Sequence, residues 1–326
     1  MSEKILTISV AAFNMEQYIS ELLDSVTSIP SVDAVELLVC DDGGTDGTLE
    51  IVREYAARYP KTVIPLHKEN GGYGSVLNLT VPMASGVFFK TLDGDDCMNP
   101  EGLESFISYL SDCEADWVLT KAEKFYEGGK REPSPAKWTS LEGTYPIEET
   151  GNEHTRFWHI NSCFRTEMLK AAFRPLPEHT LYTDLLYMAW PMPYIKKVAF
   201  LPETVYLYRA GRPGQSMDLR SKRKHSEEQI SVVKQVMNYY NEKNGRSLSS
   251  MACDRFYFSY KWLILVLLIL PPSLSNWKRI IDTEASARKY SRGFYDMGAY
   301  ESAQIRLLRK TAYLAYWPMA LYYQRF

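Results

Sequence analysis

Val87-Phe88-Phe89-Lys90-Thr91-Leu92-Asp93-Gly94-Asp95-Asp96 decides how this chain is read. The apolar run has the length and composition of a buried strand, and three carboxylates follow at its carboxyl end. Like charges gathered there oppose one another unless something positive joins them. Hard oxygen ligands of this kind suit Mg²⁺ or Mn²⁺, which take one or two carboxylates together with substrate phosphates and water. An acidic turn leading into a helix begun by Asn99-Pro100-Glu101 accounts for the same residues. The flanking sequence has to choose between them.

Upstream, strand and helix patterns alternate. Strands are expected at Ile5–Ala11, Val35–Cys40, Val63–Leu66, Val87–Leu92 and Trp117–Lys121. Between them, helical spacing covers Glu16–Ser28, Thr48–Tyr59, Gly74–Met83 and Gly102–Ser111. Such alternation predicts an α/β fold: a mostly parallel sheet with helices on both faces, whose ligands sit beyond the carboxyl ends of the strands. Asp41-Asp42 and Asp93-Gly94-Asp95-Asp96 both end strands, so both should open on that edge. Residues 128–151 read as loops or a short hairpin. A strand over Trp158–Phe164, a helix over Thr166–Ala172, a helical segment from Thr183-Asp184 to Trp190 and a strand pair at Val198–Leu201 and Val205–Arg209 follow.

Bulk properties narrow the class. The 326 residues are 45% hydrophobic and 24% charged, the composition of a folded protein with room for two domains. Five cysteines, odd in number and without a CxxC pair, argue for a reducing compartment and against a disulfide framework or zinc site. The apolar part of the first twelve residues is short for a signal peptide. A cytoplasmic protein is expected. The net charge of −3 conceals an asymmetry: residues 219–326 hold 18 Lys and Arg against 8 Asp and Glu, whereas residues 1–218 hold 19 against 32. We therefore expect a catalytic domain over 1–218 and a basic, aromatic-rich, mainly helical region over 219–326. The surplus charge suits an anionic surface, and no nucleic-acid motif accompanies it.

Three further motifs arrive in order. Ala11-Ala12-Phe13-Asn14 ends the first strand, Asp41-Asp42-Gly43-Gly44-Thr45-Asp46-Gly47-Thr48 follows the second, and Asn70-Gly71-Gly72-Tyr73-Gly74-Ser75 precedes the third helix. The glycines permit turns and close backbone approach. With the DGDD segment, this series resembles the family 2 glycosyltransferases of the GT-A fold, whose body is Rossmann-like. The resemblance is close over roughly the first 125 residues and looser to about residue 218.

That resemblance implies a nucleotide-sugar donor, with UDP the expected nucleotide. Phe13 and the Ala11–Ala12 backbone would flank the nucleobase beside Asn14, and Asp41 or Asp42 would bind uracil or its ribose. Gly71 and Gly72 would approach the donor closely. Asp93 would meet ribose or metal-bound water, and Asp95 would hold Mn²⁺ or Mg²⁺ across the diphosphate. Leu77 stands before Asn78 where the family often has arginine, which leaves Lys68 or Lys90 to supply that charge. In Thr183-Asp184, matched to the family's Glu-Asp element, Asp184 would be the base for the acceptor hydroxyl. Arg212 would close over the diphosphate, and Trp158 and His159 lie where an acceptor sugar would stack. The acceptor would be a glycan or lipid-linked sugar.

Trp262–Leu270 is apolar all round but falls short of a membrane span, so a buried or interfacial helix is expected. Aromatic Ala312–Tyr323, between Arg306, Arg309, Lys310 and Arg325, reads either as a membrane-surface contact at the inner face of the cell membrane or as a homodimer contact. Two other function classes share these features: a sugar-phosphate nucleotidyltransferase, and a non-catalytic partner subunit of a glycosyltransferase. The first usually opens with a Gly-rich loop carrying Arg and Lys, which Ala11–Tyr18 lacks.

Overall fold

A computed structural model describes residues 4–133, 141–150, 157–211, 219–243, 249–290, 295–296 and 302–325. The chain divides into two compact units, Met1–Thr180 with Trp190–Arg212, and Leu181–Ala189 with Pro213–Phe326.

The first unit is an α/β sandwich. Its elements run β1 (Leu6–Ala12), α1 (Ile19–Thr27), β2 (Val35–Asp41), α2 (Thr48–Arg58), β3 (Val63–His67), α3 (Tyr73–Met83), β4 (Phe88–Asp93), β5 (Cys97–Met98) and α4 (Pro100–Ser111). They continue through β6 (Trp117–Phe125), β7 (Arg131–Pro133), β8 (Gly143–Pro146), β9 (Ser162–Arg165), α5 (Thr166–Ala172) and β10 (Lys197–Arg209). Among the described residues the strands form one sheet in the order β3-β2-β1-β4-β9-β6-β10-β5, with β7 on β6 and β8 on β10.

β3, β2, β1 and β4 are parallel throughout. All seven residues of β2 are buried, as a strand covered on both faces requires. Helix α1 turns Ile19, Leu22, Leu23 and Val26 into the core, and α4, opened by Pro100, turns in Leu103, Phe106, Ile107 and Leu110. The order matters for the site. From β1 the chain builds outward through β2 and β3, then crosses to the opposite side of β1 for β4. The reversal in strand order therefore falls between β1 and β4, where such sheets bind ligands.

Two sequence expectations need correction. Trp158–Phe164 is not strand throughout: a 3₁₀ turn over His159–Asn161 comes first, and only then β9. Asn161 makes the turn by donating from its side chain to Thr120 O (2.9 Å) while its Oδ1 accepts from Trp158 N (3.3 Å). Val198–Leu201 and Val205–Arg209 are not a pair. They are halves of one strand, β10, parallel to β6, with the register shifting between Leu201 and Tyr206. Pro202 lies in that irregular stretch, where its missing N–H costs no regular ladder bond.

The second unit is helical: α6 (Asp184–Ala189), α7 (Leu219–Lys224), α8 (Ser226–Glu242), α9 (Ser250–Ile269), α10 (Leu274–Tyr290), α11 (Ala303–Lys310) and α12 (Tyr316–Tyr323). The apolar end of α9 is core, with Leu263, Ile264, Val266, Leu267 and Leu268 all buried. No described helix is long and apolar enough to cross a membrane.

Candidate active site

Register places the acidic strand ends on either side of β1. Ala12 is opposite Asp41 of β2, and Ala11 is opposite Asp93 of β4. The carbonyls of β1 tie both following loops down: Asp42 N donates to Ala12 O (2.8 Å) and Gly94 N to Ala11 O (3.0 Å). A Cβ on Gly94 would stand 2.8 Å from Ala11 O, so the turn admits only glycine there. Phe13, 45% exposed, projects at this edge, while Asn14, at φ 55°, accepts Thr45 N through Oδ1 (2.8 Å).

The two aspartates ending β2 are almost wholly buried and spend their oxygens locally. Asp41 Oδ1 accepts Gly44 N (3.1 Å), and Oδ2 lies 2.8 Å from His67 Nδ1. Asp42 accepts Gly71 N (3.0 Å) and Lys68 Nζ (2.8 Å) on Oδ1, and Gly72 N (2.7 Å) on Oδ2. Asp42 thus fastens the Asn70-Gly71-Gly72 loop that leads into α3, and its charge sits where the helix's exposed N–H groups favour an anion. Gly72 has φ 80°, a left-handed conformation that suits glycine. Lys68 Nζ also donates to Ser75 Oγ (2.8 Å), so this lysine serves the same loop.

The Asp93–Asp96 turn is built differently. Asp96 N donates to Asp93 O (3.0 Å). Only the Asp96 side chain turns fully inward, where Oδ2 accepts Tyr206 O–H (2.6 Å) and Oδ1 accepts Arg209 N (2.7 Å). The Tyr206 hydroxyl oxygen accepts Asp93 N (3.2 Å) in turn. Arg209 Nε donates to Asp95 O (2.7 Å), and its Nη2 to Glu21 (2.6 Å), with the guanidinium lying over the rings of Phe125 and Tyr18. Strand β10 thereby holds the backbone of Asp93 and Asp95 and the side chain of Asp96. Burial, then the charges of Asp93 and Asp95, push the Asp96 carboxyl well above its usual range. Asp93 and Asp95 remain half-buried.

Asp93 Oδ2 lies 3.4 Å from His159 Nε2, and the His159 ring meets Tyr73 edge to face at 6.0 Å. Beneath them Lys90 is fully buried, donating to Ile160 O (2.6 Å) and Ser162 O (3.4 Å). Burial pulls its amine down to about 8. This corrects the expectation that Lys90 could reach a diphosphate: it fastens the turn from which His159 reaches Asp93. The signal was its place inside an apolar strand. Tyr206 and Arg209, separated from the DGDD turn by over a hundred residues, carried no local signal of this role.

Asn78 uses both ends of its amide on Leu176, donating to O (2.9 Å) and accepting from N (2.8 Å), so it joins α3 to the segment after α5. Asp184 opens α6 in the helical unit. Just before it, Tyr182 has φ 64° and Thr183 is buried, while Leu181 N donates to Glu228 (2.8 Å) on α8. A bulky residue held at positive φ stores strain of the kind found at ligand-handling segments. Arg212 lies outside the described residues.

Among the described residues no three His, Cys, Asp or Glu side chains are grouped to hold a metal by themselves. The turn nonetheless fits Mg²⁺ or Mn²⁺ shared with a substrate. Two carboxylates stay half-exposed, the third is spent inward, and the negative charge of Asp93 and Asp95, which adds to burial in raising Asp96, is what a divalent ion would relieve.

The family model for glycosyl transferase family 2 matches residues 7–173. Poly(ribitol-phosphate) beta-N-acetylglucosaminyltransferase TarS of Staphylococcus aureus is 29% identical over 220 residues, 65% of this chain and 36% of that protein. Chondroitin synthase of Pasteurella multocida is 35% identical over 173 residues, 51% of this chain but 18% of its own length. The chain thus spans about a third or less of these relatives. In fold it is similar to S. aureus TarS 1–349, with a TM-score of 0.70 at 18% identity, covering 99% of this chain and 91% of that one. The same fragment in complex with UDP-GlcNAc gives 0.59 at 19% identity over 80% and 81% of the two chains. The mannosyltransferase PcManGT of Pyrobaculum calidifontis, in complex with GDP-Man and Mn²⁺, gives 0.51 at 16% identity over 97% and 85%.

Proposed function

The chain belongs to glycosyl transferase family 2, and from that premise we propose an inverting transfer of a sugar from a nucleotide-diphosphate donor, a UDP-sugar, to a hydroxyl of a glycan or lipid-linked acceptor. The product is part of a cell-surface polysaccharide. The observation that carries this reading is the arrangement at the β1/β4 reversal, where Asp93 and Asp95 reach the surface beside Phe13 while their backbone is held from β10. The UDP-GlcNAc complex of TarS supports the choice of donor, and the Mn²⁺ complex of PcManGT supports the metal.

Phe13 and the Ala11–Ala12 backbone border the nucleobase, with Asn14 and the Asp41–Asp42 loop shaping that border. Gly71 and Gly72 give the donor a side-chain-free approach, and Lys68 and Asn78 hold that wall in place. Asp93, with His159 against it, faces the ribose and the sugar. Mn²⁺ or Mg²⁺ held by Asp95 and Asp93 would neutralise the charge that builds on the departing diphosphate. Asp184 takes the proton from the acceptor hydroxyl. The acceptor's oxygen bonds to the anomeric carbon as the bond to the β-phosphate oxygen breaks, and the configuration inverts. Arg212 is the cation assigned to the diphosphate side.

A panel of UDP- and GDP-sugars, assayed for nucleoside diphosphate release with and without Mn²⁺, tests the reading. UDP release from one UDP-sugar is expected; no release there, with pyrophosphate formed instead from UTP and a sugar 1-phosphate, would make the protein a nucleotidyltransferase. Asp184→Asn should bind the donor as before and lose transfer. Transfer at the wild-type rate would remove Asp184 as the base.

A further inference from the structure

Helices α11 and α12 carry the same outward stripe. On α11 the exposed positions are Ala303, Arg306, Leu307 and Lys310. On α12 and the turn beyond it Pro318, Leu321, Tyr322 and Arg325 form such a stripe, with Gln324 exposed beside it. Each set falls at i, i+3, i+4 and i+7, which is one face of a helix. Leu314, between the helices, is also outward. Leu307 is 45% exposed, Leu314 66%, Leu321 57% and Tyr322 54%, so this stretch holds four of the eight large hydrophobics exposed among the described residues. Scattered exposed apolar side chains need no explanation, but a run of them does.

The opposite faces are firmly seated. Ile305, Leu308, Tyr316 and Ala320 are buried, Ser302 Oγ caps α11 by accepting Ile305 N (3.3 Å), and Arg309 turns inward to the buried Glu284 (2.5 Å). The outward cations are then Arg306, Lys310 and Arg325, and residues 302–325 contain no aspartate or glutamate. That charge pattern selects the partner. A second copy meeting this face with its own would set Lys310 and Arg325 against their counterparts, with no carboxylate from residues 302–325 between them. A surface of anionic headgroups over an apolar layer complements both halves of the stripe: leucines and a tyrosine enter the acyl boundary while arginine and lysine meet the headgroups.

We propose that the outward face of α11, Leu314 and α12 docks the protein on an anionic lipid bilayer. The inference stands apart from the transfer chemistry, and either can fail alone. The test is co-sedimentation of the full chain with vesicles of phosphatidylcholine alone or mixed with phosphatidylglycerol. Binding is expected only to the mixed vesicles and should weaken as salt rises. Leu314→Glu with Leu321→Glu should cut the bound fraction more than about tenfold with an unchanged circular dichroism spectrum. Arg306→Gln and Lys310→Gln should each weaken binding about fivefold. UDP release in the leucine variant should match wild type. Three results overturn the proposal: no binding to the mixed vesicles at low salt, full binding by the leucine variant, or light scattering that finds a wild-type dimer which the leucine variant splits into monomers.

Discussion

The loop after β2 and the turn after β4 look alike in sequence, each a cluster of aspartates and glycines ending a buried strand on one side of β1. Their carboxylates are committed in opposite ways. Asp41 and Asp42 are 2% and 3% exposed and accept backbone N–H groups from Gly44, Gly71 and Gly72. In the Asp93–Asp96 turn Asp96 accepts Arg209 N and the Tyr206 hydroxyl, while Asp93 and Asp95 stay half-buried, Asp93 against His159. Acidic residues at a strand end are therefore not one kind of site. Where glycine N–H groups face them they build a loop, and where the strand beyond supplies a tyrosine and an arginine, two of the three stay half-exposed at the edge.

The lysines repeat the contrast. Lys68 forms an ion pair with Asp42, whereas Lys90, deeper under the turn, donates only to neutral carbonyls at Ile160 and Ser162. A buried cation without a charged partner is a liability that persists only where it fixes something. Here it fixes the turn bearing His159.

The sharpest way to break the comparison is to remove one charge from each side. Asp95→Asn should lower turnover by about a hundredfold to a thousandfold while leaving the unfolding midpoint in urea unchanged. Asp42→Ala should do the reverse in kind. It strands two glycine N–H groups and Lys68, which costs about 3 kcal/mol of stability by urea titration. A stable Asp42→Ala protein would make the loop carboxylate a ligand group rather than a fastening.

Lys90→Met sharpens the contrast between the lysines through pH. The Lys90 amine is pulled to about 8 in the folded protein, below the ordinary lysine value of 10.5, so the unfolded chain binds the extra proton between those limits. Wild type should therefore gain on Lys90→Met by about 3 kcal/mol as pH rises from 8 to 10.5, with a flat difference below 8. A flat difference throughout would mean that the amine is not held in its buried place. Smallest is Tyr206→Phe, which removes one donor to Asp96 and the acceptor of Asp93 N–H. A loss of about 1–2 kcal/mol is expected, with weaker metal-dependent nucleotide binding.

The parallel half of the sheet was legible because β1, β2 and β4 are short, mainly apolar runs and α1 and α4 repeat at helical spacing. The positions of Asp41, Asp42, Asp93 and Asp95 at strand ends followed from the same pattern. What their carboxylates do did not follow. The partners of Asp42 lie about thirty residues on, and those of Asp96 more than a hundred, beyond the reach of any local period. The insertion of β9 antiparallel between β4 and β6 was hidden for a related reason. Its four residues are too few to show an alternation, and a side-chain bond from Asn161 to Thr120 shapes the turn before it.

Calorimetric titration of UDP into wild type and Asp95→Asn, each with and without Mn²⁺, tests the central contrast most directly. The account predicts that Mn²⁺ tightens UDP binding at least tenfold in wild type and has no effect in the variant, roughly the 1.4 kcal/mol that one lost charge-assisted contact carries. Equal tightening in both proteins would contradict it, because the carboxylate left outward would then have no part in holding the ion.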